Sequence, residues 1–555
     1  MSVDREQRRA IAVVQSERSS TPPGRLICLS HREFRGGQLE LFNLRRRLQV
    51  KNAPKSVSVD AGSGRTHPDW LILAVVCVAQ FMVVLDVSVV NVALPSIKAS
   101  LGFTQTGLQW ILNAYTLTFA GFLLLGGRAA DIYGRKRIYL VGMVLFTLAS
   151  LVGGFATSQS MLVIARAVQG LGGAILSPAT LTIITTTFTD PKARAKALGA
   201  WSAVAGAGGA VGALLGGVLT QLVSWRWILF INVPVGIVAF VAAVIVLTEV
   251  RRSTDRSPLD IVGAISVTGG LTLVVYGLVS ASSSGWGSST TLGSFAVAVV
   301  SLAWFVFHEA KVAKSPLMPL GLFKKRSVTS ANLVMLCVGG SLFASWYFLS
   351  LYFQEVRGYS PMKTGLVFLP QTLAIIVGAQ ISSRLTTKLG PRRILLVGTL
   401  LTAIGLALTS TLGVDSPYLT HVLVPSILIT LGAGLSFSPL AFAATSGVKA
   451  HEAGLASGLL NTSRQVGGSI GLAGLATVAA SSTTSYLHKL PLDLQHTMAA
   501  VALTHGFMSA LRISAVVALL GTVASLSLPT VRPPAVEQSS PVEHATPEIA
   551  FGEMG

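Results

Sequence analysis

Charge is scarce in this sequence. Only 12% of its 555 residues are Asp, Glu, Lys or Arg, against roughly 25% in a soluble globular chain. Cysteine is scarcer still: Cys28, Cys77 and Cys337 form no C-x-x-C and lie near no histidine pair. Neither a disulfide framework nor a metal site is therefore expected. The sequence also lacks a G-x-x-x-x-G-K-[ST] phosphate loop and an H-E-x-x-H helix, and it has no G-x-S-x-G in a strand-to-helix setting. Those absences argue against ATP as the energy source and against an enzyme, and no cofactor is expected. Hydrophobic residues are plentiful: they make up 51% of the chain, and the mean hydropathy is +0.66.

Apolar runs recur from Trp70 to Leu528, and fourteen of them can cross a hydrocarbon layer of about 30 Å as helices of about 20 residues. They are expected near 70–94, 108–127, 138–158, 161–187, 197–221, 227–248, 260–281, 291–308, 329–353, 364–386, 393–412, 420–445, 455–480 and 508–529. The pattern predicts an all-α, multi-pass integral membrane protein.

The net charge of +20 reads as topology, not as a nucleic-acid footprint. Loops on one side carry 20 Lys and Arg, whereas those on the other carry only Lys98, Arg226, Arg357, Lys363 and Lys489. The positive-inside rule then predicts that both termini are cytoplasmic. The tail 1–69, with 13 basic and 7 acidic residues, has no apolar periodicity, and 530–555 is rich in Pro and Glu. Both tails read as disordered. The basic one is either a patch for anionic lipid or a dispensable extension.

A weak repeat relates Gly127–Arg137 to Ser383–Arg393, with Gly134 falling on Gly390 and Asp131 on Thr387. Each copy follows the second span of a six-span block. This gives an N-terminal bundle at 70–250, two inserted spans with a linker at 251–328 and a C-terminal bundle at 329–529. Repeats of this kind mark transporters with a site at the repeat interface.

A charge inside a span costs about 2.5–3.5 kcal/mol on insertion scales, which makes such residues functional candidates. Asp86 in span 1 precedes Asn91 and Pro95, where the helix backbone is expected to break. A carboxylate alternately desolvated and paired would load and release a proton; a fixed ion pair or an acid reaching water is the alternative. Arg166, near the start of span 4 and followed by Gln169, Gly170, Gly172 and Gly173, either modulates Asp86 or anchors packing. Arg464 lies in the polar stretch 461–468 of span 13 and reads as a substrate contact or a structural pair. Span 5 carries Gly208, Gly212, Gly216 and Gly217, a helix-packing pattern. Asn91, Trp110, Asn113, Tyr115, Trp346, Gln354 and Gln371 are candidates to line a cavity, with interfacial or packing roles as the alternative.

At these residues the chain resembles the major facilitator superfamily, and within it the fourteen-span drug:proton antiporter-2 branch. The resemblance covers about 70–530. Val84 to Pro95 is similar to the span-1 motif of that branch, Gly127 to Arg137 to the superfamily's signature loop and Arg166 to Gly173 to the span-4 arginine motif. Trp225 to Gly236, Gln354 to Pro361 and Gly454 to Gly471 also match the branch. Two departures stand out: Ile132 follows Asp131 where arginine is usual, and span 5 has no proline before its final glycine pair.

The resemblance implies two six-helix bundles plus two extra spans, rocking about a central site by alternating access. It implies a proton-coupled efflux transporter for small amphipathic compounds such as antibiotics, in the cell membrane and drawing on the proton motive force. Asp86 and Arg166 would serve coupling, and the loop with Gly127, Asp131, Gly134, Arg135 and Lys136 would form a conformational latch. The expected partners are a small-molecule substrate, protons and lipid, with no nucleic acid and a monomer as the default. A proton-coupled importer on the same fold and a non-transporting membrane receptor are the alternatives.

Overall fold

The computed structural model describes residues 67–249, 258–449 and 452–529. The tails, up to 66 and from 530, and the basic residues Arg251, Arg252 and Arg256 lie outside the described residues. Fourteen helices are long and apolar enough to span a membrane. In chain order they are α1 Asp69–Leu101, α2 Gly107–Tyr133, α3 Arg135–Gly154, α4 Gln159–Thr187, α5 Pro191–Leu222, α6 Trp227–Val246, α7 Ile261–Ser284, α8 Ser289–Val312, α9 Arg326–Val356, α10 Pro361–Thr386, α11 Pro391–Thr409, α12 Tyr418–Thr445, α13 Ala453–Leu487 and α14 Ala499–Ser525. An even number of crossings puts residues 67 and 529 on one face of the molecule, here the tail face; the opposite face is the far face.

The helices end where the sequence supplies caps. The side chains of Ser158, Asp190, Asp260, Ser288 and Ser360 each accept from a backbone N–H in the first turn of the helix that follows. Gly102 closes α1 in the left-handed conformation. Several spans outrun their expected limits: α14 begins at Ala499 instead of 508, and α13 reaches Leu487 instead of 480.

The expected break at Pro95 does not occur, since α1 runs through it to Leu101. A proline has no N–H for the carbonyl four residues back, which here belongs to Asn91. That carbonyl accepts the hydroxyl of Ser350 in α9 at 2.7 Å, so the missing intrahelical bond becomes an interhelical one. Pro439 in α12 repeats the device: the carbonyl of Leu435 accepts the hydroxyl of Ser382 in α10 at 2.7 Å.

Helices α1–α6 pack among themselves, as do α9–α14, and the two groups meet along α2 with α13, α5 with α10 and α1 with α9. The inserted pair α7–α8 lies against one of these seams, with α7 touching both α2 and α13. Small residues set the closeness. A Cβ at Gly212 or Gly216 of α5 would come within 2.8 and 2.7 Å of the carbonyls of Leu85 and Val89 in α1. Gly208 is a little looser, 3.1 Å from the Phe81 carbonyl, and Gly217 instead meets Pro361 of α10 at 2.5 Å.

The two groups are joined from the far face to mid-depth. Lys98 pairs with Glu355 at 2.8 Å, the Gln354 amide donates to the Val92 carbonyl at 2.9 Å, and the Met362 N–H donates to Gln221 Oε1 at 3.1 Å. Deeper, the hydroxyls of Thr116 and Ser469 bond at 2.5 Å, and Thr462 reaches the Ala120 carbonyl at 3.4 Å.

Candidate functional site

Asp86 lies near the middle of α1 and is fully buried at 0% exposure. Its partners come from two other helices. Arg166 Nη1 of α4 donates to Oδ2 at 2.5 Å, while Gln169 Nε2 of α4 and Asn232 Nδ2 of α6 donate to Oδ1 at 2.7 and 3.1 Å. Ser150 of α3 stands behind both amides and accepts from Gln169 at 2.5 Å and Asn232 at 3.2 Å.

Arg166 is held on every side but one. Its Nε donates to the Ile111 carbonyl at 3.2 Å, its Nη1 also donates to Gln169 Oε1 at 2.6 Å, and the guanidinium carbon lies 4.5 Å from the centre of the Tyr115 ring. Its Nη2 is buried without a hydrogen-bond partner, as are the Tyr115 hydroxyl and Asn91 Oδ1. These three residues line one cavity with Val87, Leu112, Thr116, Phe343 and Trp346, so both bundles contribute to its wall. The space is about 10 Å³, room for roughly one water molecule. A buried ion pair thus borders a small, mostly apolar chamber at the seam, with unpartnered polar atoms on its lining residues.

The other cavity candidates lie elsewhere. Trp110 is half-buried against an apolar cluster that includes Leu271 and Val275 of α7, because the inserted helix covers that side of α2. Asn113 is buried beside Gln109, 3.5 Å away, and Gln354 serves the far-face seam. Gln371 is buried in α10 with no side-chain partner. Arg464 is half-buried, and its Nη2 donates to Asn461 Oδ1 at 2.9 Å within its own helix. A third arginine within a span, Arg512, lies midway along α14. Arg512 is exposed and does not line the cavity.

At the tail face, Gly134 turns the chain between α2 and α3 with φ of 100°, where a side chain would be strained. A Cβ there would also collide with Glu249, whose carboxylate accepts the Arg137 N–H at 3.1 Å and so caps the positive end of α3. Asp131, half-exposed, stands 3.9 Å from Arg135 one turn along, and Lys136 Nζ donates to the Val244 carbonyl at 2.7 Å. Gly127 lies beside Pro178 of α4. The acid at the helix end is therefore Glu249, not Asp131. Sequence reading gave no role to Glu249, Ser150 or Asn232, although an asparagine in so apolar a span was a visible signal.

Residues 76–472 match the model of the Major Facilitator Superfamily. The cephamycin export protein CmcT of Amycolatopsis lactamdurans is 44% identical over 78% of this chain and 89% of its own length. The puromycin resistance protein pur8 of Streptomyces alboniger is 43% identical over 75% of this chain and 83% of its own. A solved bacterial homolog of the human lysosomal transporter Spinster, inward-facing and unoccupied, superposes with a TM-score of 0.61 at 16% identity, over 84% of this chain and 98% of that one. With fourteen apolar helices, two meeting groups of six and these relatives, the chain belongs to the Major Facilitator Superfamily and is a multi-pass membrane transport protein, not an enzyme.

Proposed function

We propose that this transporter exports small amphipathic compounds, antibiotics among them, in exchange for protons. The observation that carries the reading is the buried Asp86–Arg166 pair beside a cavity shared by both bundles. A carboxylate out of water, held by N–H donors, is stable while charged; once protonated it no longer needs them. Proton binding can therefore rearrange the helices that meet at the chamber. In relatives named for export of or resistance to cephamycin, puromycin and tetracenomycin C, the same scaffold is associated with antibiotics.

On this reading the tail face is cytoplasmic, in accord with the 20 basic residues of its loops. The described state, joined at the far face, is then closed toward the outside. Asp86 carries the proton, Arg166 responds to its charge, and Asn91 and Tyr115 contact substrate. The loop from Gly127 to Lys136 acts as the latch, with Glu249 as its acid. One charge moving through 100 mV supplies about 2.3 kcal/mol, roughly a 40-fold substrate gradient at 1.4 kcal/mol per decade.

The test is puromycin-triggered collapse of a pH gradient in everted vesicles, comparing the parent with Asp86→Asn. Collapse in the parent and none in the variant is the expected result. Full coupling in the variant removes Asp86 from the mechanism. The importer alternative draws on the unbroken helix of α5, Pro191–Leu222, and puromycin leaving everted vesicles instead of entering them would favour it.

A further inference from the structure

Asn232 has a geometry that the Asp86–Arg166 pair does not explain. It sits where span α6 changes from the short helix Trp227–Phe230 to the helix Asn232–Val246. Two residues later Pro234 has no N–H for the Phe230 carbonyl, which loosens the backbone at this point. Both protons of the Asn232 amide are committed, one to Asp86 Oδ1 and one to Ser150 Oγ. The side chain is 1% exposed.

We propose that Asn232, with Ser150 behind it, is a positioning residue that holds the Asp86 carboxylate in its charged form and releases it when α6 shifts about Pro234. The inference rests on the reading of Asp86 as the proton carrier and names how its loading is set. Arg166 and Gln169 share one helix and move with it, whereas Asn232 approaches Asp86 from a different span, two residues before a proline. A donor to the charged form that can leave independently makes proton affinity depend on conformation.

The titratable groups facing Asp86 are Arg166 of α4 and Tyr115 of α2. The stretches of α3, α5 and α6 packed there, 147–154, 208–216 and 232–246, contain no charged residue. The pH response therefore belongs to Asp86 and its donors.

The experiment is a pH titration of purified protein by infrared difference spectroscopy, from about pH 4 to pH 9. The protonated carboxyl band that Asp86→Asn lacks belongs to Asp86. Asn232→Leu, which keeps the branching at Cγ but has no donors, is expected to raise the midpoint by about one pH unit, a tenfold gain in proton affinity. Ser150→Ala moves it less in the same direction. Val235→Ala, on the same turn of α6 and without a bond to the carboxylate, leaves it unchanged. If Asn232→Leu does not elute as a monodisperse protein, Ser150→Ala alone carries the test. An unmoved or lowered midpoint in these variants, or an equal shift in Val235→Ala, overturns the inference while leaving Asp86 as carrier. No Asp86 band in the parent over this range overturns the carrier reading, and the inference with it.

Discussion

A glycine and an aspartate show how differently single residues can be read. Gly212 was legible in the sequence as part of a small-residue pattern, yet only in the folded protein does its Cα face the Leu85 carbonyl, one residue from Asp86. Gly212→Ala would put a Cβ 2.8 Å from that oxygen, and forcing such an overpacked contact apart costs about 1–3 kcal/mol. We expect a lower melting temperature of the purified protein and a loss of transport larger than the loss of folded protein. Asp86 stood out because a charge in an apolar span is costly. Its partners did not, since Gln169, Ser150 and Asn232 are neutral and distant in sequence, up to 146 positions from Asp86.

Whole elements carry information of another kind. The sequence located all fourteen spans because apolar length is a local property, but it misread Pro95 as a break. Proline removes one hydrogen bond, and whether a helix bends or continues depends on what satisfies the freed carbonyl; Ser350, 259 residues from Asn91, does so. The inserted hairpin shows the same dependence. Asp260 caps α7 through the Gly263 N–H at 2.9 Å and meets His308 Nε2 of α8 at 2.8 Å. Burial pushes the Asp260 carboxyl up, but the Gly263 N–H and the Glu309 and His308 side chains outweigh it and hold it below the usual carboxylate range. The stability this contributes is complete above the unfolded value of about 3.9 and is lost as pH falls through the lower folded value. Asp260→Ala removes a cap worth about 1 kcal/mol as well as the tie to α8. Its deficit in melting temperature should shrink as pH falls below about 4, where native Asp260 takes up its proton.

At the scale of the molecule, the bonds that join the two groups concentrate toward the far face. Lys98 is held there by both Glu355 and Gln105. An exposed ion pair is worth little, about 0–1 kcal/mol, but Glu355 is only 14% exposed and removing its partner leaves a half-buried charge. Lys98→Ala should therefore favour the state open on the far face. In a background with Cys28, Cys77 and Cys337 replaced by serine, a cysteine at Ser350 should react several-fold faster with a membrane-impermeant thiol reagent applied to the far face. An unchanged rate would place the seal elsewhere along the seam.

The sequence by itself determined the membrane class, the number of crossings, the sidedness expected from basic loops and the mid-span acid Asp86. Each of these follows from local composition, because apolar length and isolated charge are priced by the bilayer residue by residue. Tertiary structure alone decided that Asp86 receives donors from α4 and α6, that Trp110 faces an inserted helix and that Glu249, not Asp131, caps α3. Those facts depend on which helices touch, and at a helix seam contact is set by the matching of two surfaces that lie far apart in the chain.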